Sequence, residues 1–414
     1  MDFTLNQPHD MNFDVVCVAF PSWEGDYVKS TIQLMSELAA HRRVLYVDYQ
    51  YTIKDVIQAI FKNPFNIPVA RILGLKKRLR TISLENGATI YVLSTPPVFP
   101  INFIKNISLF ERLLGFNAFW QAKTIQNALD KLKSEKYLVV NAFNPSYGIG
   151  LFDSFKPHIQ TYYCYDEIGA SYWAKDHGPR LEAQYMKMVN HVIVSSEGLQ
   201  NSKKQFNSHI DTVKNGVDFE LFHQAFVPLS QKSTKKKIGY IGTIDQRIDY
   251  SIIKKLALEF PDTDIIIVGR VLDDMLDVKA QTDPLRELPN IRFEGAKPPS
   301  ALMEYLKEFH IGIIPFVKNE QTAAIYPMKI NEYLAAGLGV VATDFAPLAE
   351  FGDAVHIATN TEDFIGATKG LLERDSDQKQ LARIEMAKQN SWQQRGKQLN
   401  QLLEKIYQKH TNSM

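Results

Sequence analysis

Short apolar runs alternate along the chain with longer polar stretches of helical period. The runs are rich in β-branched and aromatic residues, and polar and apolar positions do not alternate within them. Strands of this kind, separated by helices, are typical of a parallel sheet that is buried on both faces. The runs span residues 14–20, 43–49, 89–93, 137–143, 160–166, 191–196, 237–242, 264–269, 290–295, 310–316 and 339–343. The pattern therefore predicts an α/β fold throughout.

The pattern is interrupted once, at a polar segment that contains a proline and ends in a lysine run. The chain has 414 residues, which is more than one hydrophobic core usually supports. We therefore predict two doubly wound Rossmann-like domains that face a central cleft, where the carboxyl ends of open parallel sheets bind ligands. The predicted parts are an N-terminal domain at 1–222, a linker at 223–235, a C-terminal domain at 236–390, and a helix at 391–414 that packs back on the first domain.

Composition excludes several classes of protein. The chain is 45% hydrophobic and 22% charged, as in ordinary globular proteins, and its net charge of +1 gives no indication of nucleic-acid binding. Cys17 and Cys164 lie inside apolar runs, and the ten histidines show no ligand spacing, so we expect neither disulfides nor a metal site. No apolar run approaches the roughly 18 residues of a spanning helix, and no signal-peptide pattern is present, so we expect a cytoplasmic protein.

The segment 326–343, YPMKINEYLAAGLGVVAT, predicts a helix followed by an apolar strand. Pro327 fits the first helical position, because the N–H that proline lacks would have no partner there. The N–H groups of residues 328–330 would then be free at the positive end of the helix, where they can bind an anion such as phosphate. Gly337 supplies the left-handed residue that ends the helix.

Lys329 and Glu332 are the charged residues of this helix. Lys329 adds a positive charge beside the free N–H groups, and the carboxylate of Glu332 can accept two hydrogen bonds from the cis-diol of a ribose. The spacing suits a phosphate and a ribose that are held side by side. The alternative is a plain surface ion pair, which stabilises a helix by only a few tenths of a kcal/mol.

Several segments together resemble the donor-binding domain of GT-B glycosyltransferases, in particular bacterial enzymes of families 1 and 4 that build exopolysaccharides or teichuronic-type wall polymers. The resemblance implies that Lys329 and Glu332 bind the donor nucleotide and that the loop 296–299 packs on the nucleobase. It also implies that KNGVDFELF at 214–222 closes the first domain. The resembling segments are KIGYIGTIDQRIDY, DIIIVGR, NIRFEGAKP, HIGIIPF and PMKINEYLAAGLGVVAT.

The same resemblance assigns three more residues to the donor nucleotide. Gly242 and Thr243 end the first strand of the second domain, where a backbone without bulk can approach the diphosphate. Arg247 resembles the basic residue that contacts this diphosphate. The match is loose, because the family usually has a second basic residue where this chain has Thr243. The alternative for Arg247 is a surface ion pair with Asp245 or Asp249.

The chain departs from the family at the donor sugar. Many retaining members carry a glutamate eight residues before the position of Glu332, and this chain has Ala324 there. The retaining or inverting outcome therefore stays open. Asn319 and Thr322, with Gln321 and the backbone at Ala323, are expected to bind the donor sugar instead.

The first domain is expected to bind the acceptor. PSWEGDY at 21–27 follows the first strand as a flexible loop, and its acceptor residues are Ser22, Trp23 and Gly25. Asp166 and Glu167 end a later strand at the carboxyl edge of the sheet, where a carboxylate can act as general base in an inverting reaction. A retaining enzyme would use the same position for orientation or charge stabilisation. The alternative for Asp166 is to cap the next helix.

Residues 54–123 carry ten basic side chains against three acidic ones, and many aromatic residues lie between them. This combination suits docking on the anionic inner face of the cell membrane, near a lipid-linked acceptor. Core packing explains many of the aromatic residues equally well.

We therefore predict a glycosyltransferase of hexosyltransferase type, with a nucleotide-sugar donor, first of all a UDP-sugar, and a glycan or lipid-linked acceptor in cell-surface polysaccharide synthesis. No cofactor and no metal is expected, because helix dipoles and basic side chains can offset the charge of the leaving diphosphate. The Asp-x-Asp motif at 262–264 precedes a strand and is interpreted as a turn. The alternatives are a nucleotide-sugar 2-epimerase of the same fold and a non-catalytic sugar-nucleotide or glycan-binding scaffold.

Overall fold

The computed structural model describes residues 13–24, 29–62, 67–156, 158–170, 174 and 176–412. The chain divides into two compact units, residues 1–214 with 395–414 and residues 215–394. Each unit contains one mostly or wholly parallel sheet whose strands are joined through helices. The predicted α/β class with two Rossmann-like units is confirmed.

The first unit has an eight-stranded sheet in the order β3-β4-β2-β1-β5-β6-β7-β8. Only β3 runs antiparallel to its neighbour. The strand order reverses between β1 and β5, so the carboxyl ends of these strands form the switch point at which open sheets bind ligands. The strands are β1 (Asp14–Ala19), β2 (Val44–Val47), β3 (Leu79–Ser83), β4 (Thr89–Leu93), β5 (Tyr137–Ala142), β6 (Ile159–Cys164), β7 (His191–Val194) and β8 (Ile210–Thr212).

The helices of the first unit connect these strands. Among the helices that the structure describes in either unit, none combines the length and the apolarity that crossing a bilayer requires. The helices are α1 (Ser30–Leu38), α2 (Ile53–Lys62), α3 (Val69–Ile72), α4 (Ile107–Leu132), α5 (Pro145–Leu151), α6 (Gly178–Met188) and α7 (Glu197–Lys203).

The second unit has a parallel six-stranded sheet in the order β11-β10-β9-β12-β13-β14. Its switch point lies between β9 and β12. The strands are β9 (Lys237–Ile241), β10 (Asp264–Val268), β11 (Ile291–Gly295), β12 (Ile311–Ile314), β13 (Gly339–Thr343) and β14 (Val355–Ala358). The helices are α8 (Phe219–His223), α9 (Tyr250–Glu259), α10 (Leu276–Arg286), α11 (Pro299–Glu308), α12 (Glu320–Ala323), α13 (Met328–Ala335), α14 (Thr361–Arg374) and α15 (Asp377–Gln389).

The unit boundary differs from the one predicted at residues 222 and 236. The segment predicted as a linker lies on the second unit, because Phe222 and Ala225 are buried in its core. The backbone N–H of Leu229 also donates to Gln380 Oε1 at 3.1 Å. A chain that packs this way cannot act as a free connection.

The last helix, α16 (Trp392–Thr411), contributes its larger part to the first unit. Arg42 Nη2 donates to Glu404 Oε1 at 2.6 Å. The rings of Phe13 and Tyr407 stack with their centroids 4.1 Å apart. These contacts hold the end of the chain against β1 and the turn that precedes β2.

Helix α13 packs unusually close to the sheet, because β12 has a glycine, Gly312, at the point where the helix crosses the strand. A Cβ at Gly312 would lie 2.5 Å from Cγ of Tyr333. The Tyr333 hydroxyl accepts the backbone N–H of Ile241, the last residue of β9, at 2.8 Å. This pair of contacts fixes the position of α13 relative to the end of β9.

We predict that Gly312→Ala destabilises the protein by about 1–3 kcal/mol, because the added methyl group would overlap the Tyr333 ring. Urea unfolding followed by circular dichroism measures the change. The control is Gly366→Ala in α14, where a Cβ would meet no atom within 4 Å. We expect that variant to be unchanged or more stable by up to about 1 kcal/mol. Equal stability of Gly312→Ala and the wild type would contradict the close packing of α13.

Candidate functional site

The carboxyl end of β9 forms the floor of a site in the second unit. Gly242 follows the strand with φ +146°. A Cβ there would lie 2.9 Å from Nζ of Lys329. Gly269 follows β10 with φ +155°, and a Cβ there would lie 2.6 Å from the carbonyl carbon of Gly242. Only glycine fits both places, so the backbone is bare where the Lys329 side chain passes over it.

The start of α13 differs from the prediction. The helix begins at Met328, and Pro327 lies outside it as the N-cap residue. The N–H of Met328 donates to the carbonyl of Tyr326 at 3.0 Å, and the N–H of Ile330 donates to the carbonyl of Pro327 at 3.0 Å. The prediction that these two N–H groups are free was wrong, because the chain folds back on itself at Pro327. The predicted left-handed end of the helix is present, since Gly337 has φ +74°.

Lys329 and Glu332 are partly exposed and lie one turn apart on α13. Within the described part of the chain, neither the ammonium nor the carboxylate has a hydrogen-bond or ion-pair partner. Burial lowers the pKa of Lys329 and raises the pKa of Glu332, and their mutual attraction opposes both shifts. A formed ion pair would move both pKa values the other way. The structure therefore does not show the surface ion pair that was the alternative interpretation.

The positive charge of Arg247 contributes to lowering the pKa of Lys329, which shows that the two side chains lie near each other. Its guanidinium is bound by the buried carboxylate of Asp245, with Nε–Oδ1 at 2.9 Å and Nη2–Oδ2 at 2.6 Å. The carbonyl of Thr243 accepts the hydroxyl proton of Tyr240 at 3.0 Å. The structure thus brings Arg247 to the site and also forms one of its predicted ion pairs, so its diphosphate role stays a prediction.

The predicted sugar-binding residues form a helix cap. Asn319 Oδ1 accepts the N–H of Thr322 at 2.9 Å, and the Thr322 hydroxyl donates to the carbonyl of Val317 at 2.7 Å. Thr322 is fully buried. A ligand cannot reach this hydroxyl in the present conformation, so the structure contradicts a sugar contact from the Thr322 side chain. The role of Asn319 stays a prediction.

The loop predicted to pack on the nucleobase follows β11, at the same carboxyl edge of the sheet. Gly295 turns the chain with φ +69°. Ala296 and Pro298 are exposed, and Nζ of Lys297 lies 5.9 Å from the centroid of the Tyr305 ring. The position is compatible with the prediction and does not test it.

The Asp-x-Asp motif lies at the opposite edge of this sheet. Asp264 opens β10, and its carboxylate forms an ion pair with Lys235 at 2.7 Å. Across the described ranges, no group of three or more His, Cys, Asp or Glu side chains is arranged to hold a metal ion. Metal independence of the protein remains a prediction.

The predicted acceptor loop follows β1 in the first unit, and Gly25 lies outside the described residues. The Ser22 hydroxyl shares a hydrogen bond of 2.6 Å with the Tyr51 hydroxyl. The N–H of Trp23 donates to Asp48 Oδ1 at 2.8 Å, and Glu24 forms an ion pair with Arg80 at 2.6 Å. The described part of this loop is therefore fixed to β2 and β3, in contrast to the flexible loop that was expected.

Asp48 was missed in the sequence. It lies near the end of the second apolar run, as Asp166 lies at the end of a later one, and this similar position could have revealed it. Asp48 is 1% exposed, and burial raises its pKa to about 6 although the N–H groups of Trp23 and Tyr49 bind its Oδ1. Asp48 therefore positions Trp23 beside the end of β2, at the carboxyl edge of the first sheet.

Asp166 and Glu167 follow β6 as predicted, and their surroundings differ. Asp166 is exposed, and its Oδ1 accepts the N–H of Glu167 at 2.8 Å. Glu167 Oε1 binds the ammonium of Lys203 at 2.7 Å, and the same ammonium binds the buried Glu182 at 2.8 Å. The Tyr162 hydroxyl donates to Glu182 at 2.8 Å. The carboxylate of Glu167 is therefore anchored by Lys203.

Comparison with known proteins gives the class of the second unit. Residues 235–374 match the family model described as Glycosyl transferases group 1. This range contains the Gly242, Lys329 and Glu332 constellation. The resemblance that the sequence indicated is confirmed by this match, and similar solved structures share the fold.

One curated relative is TuaH of Bacillus subtilis, which carries the provisional name of a teichuronic acid biosynthesis glycosyltransferase. It is 29% identical over 178 residues, which are 41% of this chain and 44% of the relative. The chain thus spans about half the length of the curated relatives it matches.

Two solved structures share the fold. Sucrose-phosphate synthase from Thermosynechococcus elongatus has a TM-score of 0.63 at 14% identity, and 95% of this chain and 99% of that chain are covered. HepE of Anabaena in complex with UDP and glucose has a TM-score of 0.60 at 15% identity, with coverage of 95% and 99%. Identities this low establish the fold alone.

We predict that the double variant Lys329→Met/Glu332→Gln is more stable than the wild type without ligand, by about 1 kcal/mol. Both charges are desolvated without a partner, and replacing them together leaves no single charge behind. Thermal unfolding measures the change. The control Lys318→Met removes an exposed ion pair with Asp344 and should alter stability by less than about 0.5 kcal/mol. A double variant that is clearly less stable would show that the two charges hold the fold together.

Proposed function

We propose that the protein is a metal-independent glycosyltransferase that moves a sugar from a nucleotide-sugar donor to a glycan or lipid-linked acceptor in cell-surface polysaccharide synthesis. The observation that carries the proposal is the unpaired Lys329 and Glu332 beside the bare backbone of Gly242. Desolvated charges without a partner cost stability, and they cluster where a ligand neutralises them. The match of residues 235–374 to glycosyl transferases group 1 supports the same conclusion.

The donor is proposed to bind with its diphosphate over Gly242 and its ribose against Glu332. Lys329, and Arg247 once it turns from Asp245, would offset the charge of the diphosphate. Two hydroxyls of a ribose can donate to one carboxylate, which would satisfy Glu332 and return its pKa toward the usual range. UDP is the first nucleotide to test, because HepE, which shares the fold, was solved with UDP and glucose.

The acceptor is proposed to bind at the carboxyl edge of the first sheet, near Trp23 and Asp166. We assign the general base of an inverting reaction to Asp166, because it follows β6 at the carboxyl edge of the sheet and is exposed, so that an acceptor hydroxyl can reach it. Glu167 would then hold the loop that carries Asp166. The proposed location is the cytoplasm.

We predict that one of UDP-, GDP-, ADP- and dTDP-sugars raises the unfolding temperature of the wild type and that Glu332→Ala loses this effect. Ligand at about 100 times its Kd stabilises a protein by about 2.7 kcal/mol. Differential scanning fluorimetry measures the shift. Glu373→Gln, which changes an exposed carboxylate of α14, should keep the full shift. If no nucleotide stabilises the wild type, the donor site is wrongly assigned.

We predict that Asp166→Asn keeps nucleotide binding and loses turnover by about 100-fold or more, as expected for removal of a general base. Release of free nucleotide in the presence of membrane lipid extract measures turnover. Asp130→Asn, on the exposed side of α4, should keep wild-type turnover. Unchanged turnover in Asp166→Asn would refute its role as base.

The same assay separates the proposed reaction from its alternatives. A 2-epimerase would convert the nucleotide-sugar without any acceptor, and a scaffold would bind the nucleotide without releasing a product. Either result in the wild type would contradict a glycosyltransferase.

A further inference from the structure

Exposed apolar side chains are concentrated in one part of the first unit. Of the 17 large hydrophobic side chains that are exposed in the described chain, 13 lie between residues 53 and 120. Soluble proteins scatter such residues singly, and a concentration of them marks an interaction surface. The exposed residues are Ile53, Ile57, Ile60, Phe61, Leu73, Leu75, Phe99, Phe103, Ile107, Leu109, Phe116, Phe119 and Trp120.

Helix α2 has one wide apolar face, and only part of this face is buried. Val56 and Ala59 are buried, and Val56 packs with Tyr51 and Ile72. The exposed part of the same face carries Ile53, Ile57, Ile60 and Phe61, which follow one another at the spacing of a helical stripe. Phe61 is 83% exposed. The core of the unit therefore covers only part of the apolar face of α2.

The exposed stripe of α2 adjoins a similar stripe on α4. The N–H of Ile53 donates to the carbonyl of Val98 at 2.9 Å. The next residue, Phe99, has its ring centroid 5.7 Å from that of Phe116 on α4. Phe119 and Trp120 follow one turn later on the exposed side of α4. Residues 98 and 99 thus connect the start of α2 to the exposed residues of α4.

Basic residues accompany these apolar residues. Residues 54–123 carry ten basic and three acidic side chains, which is a local excess of seven positive charges. Of the three acidic residues, Asp55 binds the N–H and hydroxyl of Thr52, and Glu111 forms an ion pair with Arg180 at 3.1 Å. The exposed basic residues are Lys54, Lys76, Lys77, Lys105, Arg112 and Lys123.

The tip between α3 and β3 shows the combination most clearly. Leu75 is 78% exposed, and the exposed Lys76 and Lys77 follow it directly. Short apolar side chains next to lysines can enter the acyl boundary of a bilayer while the ammonium groups remain at the headgroups.

We propose that this surface, made of the exposed residues of α2, the 73–77 tip, residues 99–103 and α4, docks on an anionic lipid bilayer. Charge decides between the bilayer and a second copy of the chain. A symmetric dimer through this surface would bring two positive patches together, whereas anionic headgroups neutralise them. The docking is independent of the donor site in the second unit, so it can be tested even if the proposed function fails.

Co-sedimentation of the full-length protein with lipid vesicles tests the proposal. We expect binding to phosphatidylcholine vesicles that contain roughly one third phosphatidylglycerol, and binding about tenfold weaker or more to pure phosphatidylcholine. Ile57→Ser/Ile60→Ser/Phe61→Ser should weaken binding to the anionic vesicles about tenfold or more, because the apolar contact is lost. Lys76→Glu/Lys77→Glu should weaken it as well and reduce its dependence on salt.

The control variant is Leu276→Ser/Leu381→Ser, which removes side chains of the second unit that are 83% and 61% exposed. Its vesicle binding should equal that of the wild type. All these side chains are exposed, so each variant should unfold at nearly the wild-type temperature. Absence of wild-type binding, equal loss in the control, or a wild-type dimer that the triple variant dissociates without any change in vesicle binding would overturn the proposal.

Discussion

The site of the second unit depends on how closely α13 approaches the end of β9. Glycine at position 312 lets the ring of Tyr333 lie directly on β12, and the Tyr333 hydroxyl accepts the N–H of Ile241. This contact places the ammonium of Lys329 over Gly242, where a side chain would not fit. Two charged groups are thereby held at a bare stretch of backbone without a partner in the described chain. We propose that an anionic, hydroxyl-bearing ligand offsets the cost of keeping them there.

The central strands of both sheets could be predicted from the sequence, and the missed strands are all at sheet edges. Buried parallel strands produce continuous apolar runs, as in β5 and β10, because both of their faces are covered. The strands that gave no such run are β3, β8 and β14, and each is the last strand at one side of its sheet. Edge strands have one unpaired side and fewer buried positions, so their sequences carry more polar residues. The unit boundary was missed because packing of residues 215–235 on the second unit depends on long-range contacts.

The residues of the site could be predicted from the sequence where neighbouring residues alone determine their position. Lys329, Glu332 and Gly242 were found because helix spacing and a glycine after a strand are visible in the sequence. Three features could be seen only in the structure. Local backbone geometry brings carbonyls to the N–H groups at the start of α13. Contacts between distant segments bind Glu167 to Lys203 and Asp48 to Trp23. No periodicity in the sequence reports contacts of that kind.

A crystal structure of the wild-type protein with the nucleotide-sugar that stabilises it would test the central claim most directly. We expect both ribose hydroxyls within about 2.6–3.2 Å of the Glu332 carboxylate, and Nζ of Lys329 at a similar distance from a phosphate oxygen above Gly242. A nucleotide bound elsewhere, with Glu332 and Lys329 still lacking partners, would contradict it.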